Sequence, residues 1–147
     1  MFDEPIRSVM QRRNLLKAAP GILVSRAAKL MAKRRVGAIM VVEDTQLVGI
    51  FTERDIVFRV VARELDAQTT RIADVMTPAP DTVGPDLPFG YALLRMHQRG
   101  FRHLPVIKDG KVVGIVSARS AMDPALMEFE SEARRRKRYQ LIAGDAK

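Results

Sequence analysis

The sequence predicts an α/β fold of two half-domains, each helix–strand–strand–helix, related by a pseudo-twofold axis and packed sheet against sheet. Three observations carry this. The chain repeats itself at an offset of 65 positions: Pro20 falls on Pro85, Ala27 on Ala92, Met31 on Met96, Val41 on Val106, Asp44 on Asp109, and Val48-Gly49-Ile50 on Val113-Gly114-Ile115. Within each copy, apolar residues at helical spacing give way to short β-rich runs. Neither copy is large enough to bury its own apolar faces, so the two must share a core.

The elements follow in order. "IRSVM" (residues 6–10) resembles "IADVM" (residues 72–76), and each places a short helix ahead of its copy, the second halted by Thr77-Pro78. Val24, Ala27, Ala28, Leu30 and Met31 then recur at roughly helical spacing, as do Phe89, Ala92, Leu93 and Met96. The runs "GAIMVV" and "RHLPVI" are too apolar to have a solvent face and read as strands buried on both sides. "EDTQ" and "KDGK" turn the chain, and Asp109-Gly110 is a strong two-residue hairpin signal. The returning strands, residues 47–51 and 112–116, each carry an interior glycine, which marks close approach of another backbone or a ligand. Thr52 and Ser117 stand where a helix N-cap is expected, with Glu53-Arg54-Asp55 opening the first helix.

The polar stretch 63–70 suits a linker. Asp123-Pro124 is a good start for a long C-terminal helix, in which Glu130–Arg134 and Glu132–Arg136 have i,i+4 spacing. The expected organisation is a first repeat with an N-terminal helix at 1–65, a second repeat with its linker helix at 66–123, and a basic C-terminal helix at 124–147.

Composition narrows the function classes. With no cysteine, disulfides, thiolate catalysis and thiolate metal ligands are excluded, and a reducing cytoplasm is the expected location. No run is as long as a membrane span, and "MFDEPIRSVM" is too acidic and polar for a secretory signal. The two histidines, His97 and His103, lie in different predicted elements at a spacing that fits no metal motif, so no metal is expected. The net charge of +8 invites a nucleic-acid reading, but five of those charges lie in "RRRKR", residues 134–138. The preceding Glu128, Glu130 and Glu132 supply intrahelical partners, which favours a solvated or dimer-contacting helix. The eight methionines, scattered through the helices, read as core filling.

Taken together, the paired helix, "LPV"-type strand, "VGI" strand and Thr/Ser-x-x-Asp resemble a tandem pair of CBS domains, a Bateman module. The resemblance runs from about Ile6 to about Pro124. "GFRHLPVIKDGKVVGIVS" and "RRVGAIMVVEDTQLVGIFTERDI" are similar to small stand-alone bacterial CBS-pair proteins. It implies a non-catalytic regulatory or energy-sensing module that binds an adenosine nucleotide in clefts between the repeats. AMP is the first expectation, with ADP, ATP, NAD or S-adenosylmethionine as alternatives. It further implies a homodimer and an effector protein that reads the bound state.

The junction chemistry agrees with that implication. A strand feeding a helix leaves unpaired N–H groups suited to a phosphate, and the Thr52 hydroxyl can donate to one. Asp55, one turn in, can accept from both hydroxyls of a ribose, and Arg54 adds positive charge. Gly37-Ala38-Ile39 are small and apolar enough to lie against a purine. If the family fold holds, Arg102, His103 and Arg119 come near the cleft, and Lys17 is a candidate of the same kind. The second copy keeps the hydroxyl at Ser117 but has Ser120 where the first has Asp55, so its ribose site is expected to be weak or empty. The rivals are nucleic-acid binding by residues 134–138, an enzyme acting on nucleotides, and a ligand-free structural dimeriser.

Overall fold

The structure, a computed structural model, describes residues 2–121 together with 132, 133, 135–137 and 144. In order come α1 (Ile6–Val9), β1 (Lys17–Ala18), α2 (Val24–Arg34), β2 (Ala38–Glu43), β3 (Gln46–Thr52), α3 (Glu53–Asp55), β4 (Thr77–Pro78), α4 (Phe89–Arg99), β5 (His103–Lys108) and β6 (Lys111–Ser117). The chain continues from α3 as wider helical turns over Ile56–Val61, and tighter helical turns occupy Ile72–Asp74 and Ala118–Ala121.

The repeat seen in sequence is a repeat in space. α2 buries Val24, Ala27 and Met31, and α4 buries Phe89, Ala92 and Met96 at the same steps of three and four. Both end in the left-handed conformation, which lets the last carbonyls be satisfied: at Arg35 (φ 54°) in the first copy and Gly100 (φ 74°) in the second. β2 and β3 pair antiparallel from Ala38↔Thr52, and β5 and β6 pair likewise from His103↔Ser117. Both hairpins turn through two residues of positive φ, Asp44-Thr45 and Asp109-Gly110, as the turn type requires. Each carries an irregularity at the matching place, Val41/Val42 and Val106/Ile107. The first sheet runs β1-β2-β3-β4, with β1 parallel to β2 and β4 antiparallel to β3. Around β5-β6, single bridges stand where those flanking strands would be, Val83 parallel to Val106 and Gln11 antiparallel to Ile115.

The expectation of inner strands buried on both sides holds for β2, where Ala38, Ile39, Met40 and Val41 are all buried. Instead of the single shared core expected, each repeat has its own: one joins α2 to Ile39, Val41, Phe51 and Val60, and the other joins α4 to Leu104, Val106 and Val116. Between the sheets, Ala38, Ile50 and Ile115 form a small seam flanked by Leu15. Apolar area removed from water in these clusters is the main stabilising contribution.

The segments that precede the repeats are exchanged. Ile6 of α1, at the N-terminal end of the first repeat, is fully buried in the second repeat's core. Ile72 and Val75, which precede the second repeat, are buried in the first. The exchange also caps the helices, since neither N-cap residue, Leu23 or Pro88, offers a side-chain acceptor. The amides of Val24 and Ser25 donate instead to Thr70 and Ala67 carbonyls, both at 2.8 Å. Those of Phe89 and Gly90 donate to Glu4 and Phe2, at 2.7 and 2.9 Å.

It explains the strand glycines as well. A Cβ at Gly49 would collide with the Met76 thioether, and one at Gly114 would lie 2.7 Å from Met10 Sδ and 3.0 Å from the Gln11 carbonyl oxygen. The close approach expected at these glycines is made by the crossing segments of the protein itself.

In the C-terminal region residues 132, 133 and 135–137 are helical and exposed, and the Arg136 guanidinium donates to Glu132 at 2.9 Å, as the i,i+4 spacing predicts. The Asp123-Pro124 start and the Glu130–Arg134 pair lie outside the described residues. Among the described residues, no helix is long and apolar enough to cross a membrane.

Candidate functional site

Where the first repeat's hairpin ends, a cleft of about 570 Å³ opens between the repeats. One wall is the end of β3 with α3 and the turn beyond it: Ile50, Thr52, Glu53, Arg54, Asp55, Phe58 and Arg59. The crossing segment contributes Thr77, Ala79, Pro80 and Asp81. The second repeat closes the cleft with the end of α4 and the start of β5, from Arg99 through His103.

Thr52 leaves the strand in extended conformation (φ −125°, ψ 168°) and Asp55 turns back on it. The Thr52 amide and hydroxyl both donate to Asp55 Oδ2, at 2.8 and 3.3 Å. This reciprocal cap explains the Thr-x-x-Asp spacing locally, since it satisfies an amide that the helix cannot. It leaves the other carboxylate oxygen, Oδ1, facing Arg59 Nε at 3.5 Å. Burial raises the Asp55 carboxyl above its ordinary pKa, opposed by the Thr52 amide and then the Arg59 charge.

Two positive groups are fixed across the cleft. Arg54 donates from Nη1 to the Gly100 carbonyl at 2.5 Å, bridging the repeats and fastening the end of α4. Arg99 Nε lies 3.9 Å from Asp81 Oδ2, which also faces Arg95 at 3.4 Å. Gly37 sits beneath Glu53 and His103: a Cβ there would come within 2.8 Å of Glu53 Oε1 and 3.5 Å of His103 Cε1. Burial lowers the His103 pKa, and the neighbouring Glu53 carboxylate only partly offsets it, so the ring is held toward its neutral form.

Of the residues singled out in the sequence, Gly37, Thr52, Arg54, Asp55, Arg102 and His103 line this cleft together. The other five do not. Ala38 and Ile39 are buried in the seam and the first core. Lys17 is exposed on β1 opposite Met40. Ser117, paired with His103 across β5-β6, and the exposed Arg119 lie at the second repeat's own junction. There the same cap is built without charge, the Ser117 amide donating to Ser120 Oγ at 3.2 Å. His97 is exposed.

Sequence reasoning missed Arg59 and Phe58 on the near wall, the crossing segment from Thr77 to Asp81, and Phe101 opposite. Arg59 carried a signal, a guanidinium four residues after the carboxylate on a helix. The crossing segment carried none, because its place depends on the exchange of segments. Among the described residues, no cluster of three or more His, Asp or Glu side chains is placed to hold a metal.

The CBS domain family is matched twice, at residues 6–62 and 72–123. The chain belongs to the CBS domain family. The meiotically up-regulated gene 70 protein of Schizosaccharomyces pombe is 40% identical over 148 residues, covering 82% of this chain and 20% of that protein. The chain spans about a fifth of the length of that relative and of the CBS domain-containing protein CBSCBSPB1 of Arabidopsis thaliana, which is 35% identical over 112 residues. An uncharacterized conserved protein from Pyrococcus horikoshii superposes with a TM-score of 0.79 at 28% identity, covering 85% of this chain and 94% of that one. A CBS domain protein from Pyrobaculum aerophilum, solved in complex with AMP, gives a TM-score of 0.72 at 26% identity, covering 80% and 89%. The fold class expected from the repeat is therefore the observed one, a pair of CBS repeats built around two sheets.

Proposed function

We propose that this CBS pair is a regulatory module that binds one adenosine nucleotide per chain in the cleft, AMP before ADP, ATP or NAD, and performs no chemistry on it. The observation that carries the reading is Asp55: a buried carboxylate held by Thr52 on the wall of a cleft whose opposite wall belongs to the other repeat. A ribose hydroxyl is a ligand that such a carboxylate can grip through Oδ1, the oxygen not engaged by Thr52. Arg102 and Arg54 stand ready for a phosphate, while Ile50, Ala79 and Pro80 offer apolar surface to a base. Phosphate binding can draw on these side chains together with the start of the helical stretch that runs from Glu53 to Val61. The AMP complex of the similar Pyrobaculum protein supports the same ligand class.

Calorimetric titration of ligand-stripped protein with AMP, ADP, ATP, NAD and S-adenosylmethionine tests this. The expected result is dissociation constants on the order of micromolar for at least one of them, near one per chain. Asp55→Asn, which retains an acceptor for the Thr52 amide, is expected to weaken binding at least about tenfold without unfolding the protein. Absence of binding by all five ligands sinks the reading. Val57, Val61, Tyr91 and Leu94 leave apolar side chains exposed, which supports the expected homodimer.

A further inference from the structure

Arg59 has appeared so far only as the charge facing Asp55. Its guanidinium reaches two places at once. Nε faces Asp55 Oδ1 at 3.5 Å, and Nη1 donates to the carbonyl oxygens of Val75 and Met76, at 3.2 and 2.9 Å. Those carbonyls belong to the crossing segment at the point where it enters β4. The segment is firmly seated from there on: Met76 packs on Gly49, the Ala79 amide donates to Val48, and the Val83 amide donates to Pro105 in β5. Ala79, Pro80 and Asp81 then form part of the cleft wall. A single planar cation thus joins the carboxylate of one repeat to the main chain that leads into the other.

We propose that Arg59 is the positioning residue that aims the Asp55 carboxylate into the cleft and transmits its occupancy to the crossing segment between the repeats. The inference rests on the proposed binding of an adenosine nucleotide. The chemistry follows from the fork of donors: a ligand hydroxyl that takes up Asp55 Oδ1 competes with Nε for the same oxygen. Nη1 then remains on the Val75 and Met76 carbonyls with more of its charge available to them. The second repeat supports the pairing of roles. It has Ser120 in place of Asp55 and, at the same offset, Pro124 in place of Arg59, so the carboxylate and its guanidinium are absent together. The helical turns after Asp55 help, since they widen to i→i+5 spacing where Arg59 sits, with the Ala62 amide donating to Val57 and Leu65 to Val60.

The test compares the wild-type chain with Arg59→Met and Arg59→Lys. AMP binding is read by calorimetry and amide hydrogen exchange is measured with and without AMP. In the wild type, AMP is expected to slow exchange at Ala79 and Val83. In Arg59→Met, AMP affinity is expected to fall about tenfold, and the slowing at those two amides to disappear even when the site is saturated. Arg59→Lys restores charge beside Asp55 but cannot span to the carbonyls. It is expected to recover affinity without recovering the slowing, a split that loss of stability alone would not produce. Unchanged affinity in Arg59→Met overturns the positioning role, and slowing that persists in the saturated variant overturns the transmission. If AMP fails to bind the wild type, the adenosine reading itself falls and the coupling with it, an outcome visible before any variant is examined.

Discussion

The two strand-to-helix junctions are built on one plan and differ in charge. In the first repeat, Thr52 caps with Asp55, and Asp55 is paired with Arg59; in the second, Ser117 caps with Ser120 and no carboxylate is present. Both junctions satisfy the same strand-end amide at the same spacing, at 2.8 Å and 3.2 Å. The cap is therefore what the fold needs, and an uncharged hydroxyl suffices for it. A buried carboxylate adds a desolvation cost that capping does not require, which points to a use for the charge in the first repeat.

The largest effect expected from disturbing either half comes from its core. Phe51 and Phe89 are fully buried, one in each cluster. Phe51→Ala and Phe89→Ala should each cost about 3–5 kcal/mol. Because Ile6 and Ile72 are exchanged, each loss should lower one common denaturant transition followed by circular dichroism. Two separated transitions would show that the halves unfold independently, and the comparison between them would lose its structural basis.

A sharper intervention moves the charge. Ser120→Asp places a carboxylate at a buried position without the guanidinium that Asp55 has. It should cost about 1–3 kcal/mol at neutral pH. The sign with pH follows from burial, which holds the folded-state pKa above the unfolded one. The native state then binds the proton more tightly, so the cost is absent in acid and grows as pH rises from the ordinary value of 3.8 through the folded one. Asp55 itself should show a smaller slope of the same sign, because the Thr52 amide and Arg59 oppose its burial. Denaturant midpoints of both chains across that window decide it, and a variant whose stability is independent of pH would contradict the account.

The smallest effect lies at the helix ends. Arg35 adopts a left-handed conformation that Gly100 occupies in the second repeat. Arg35→Gly should stabilise by about 1 kcal/mol, and Gly100→Arg should destabilise by a similar amount. Thermal unfolding of the pair measures both, and equal melting temperatures would mean that the two caps tolerate a side chain alike.

Much of this was legible in the chain. The repeat, the hairpins and the helical faces follow from periodicities that each copy states separately and then restates. Thr52 and Asp55 were legible because a cap and a ligand-facing carboxylate use the same short spacing. The crossing segments were not. "IRSVM" and "IADVM" announce short helices, but nothing in five residues says which core receives them. Their methionines complete the opposite sheets only after the whole chain is in place. The wall from Ala79 to Asp81 was hidden for the same reason. Ala38 and Ile39 looked suited to a purine by size, yet small apolar side chains at a strand start serve the seam between sheets equally well.

The exchange of segments has a consequence for the protein as it is made. Ile6 is synthesised well before its neighbours in the folded state, which include Val83, Leu104 and Val116. At ribosomal rates of about 5–20 residues per second, α1 waits on the order of ten seconds for the strand that will cover it. The first repeat also remains unfinished until Ile72 and Val75 have emerged. Synthesis therefore closes the halves in the order in which their borrowed pieces arrive, with α1 seated only after the repeat that follows it is complete.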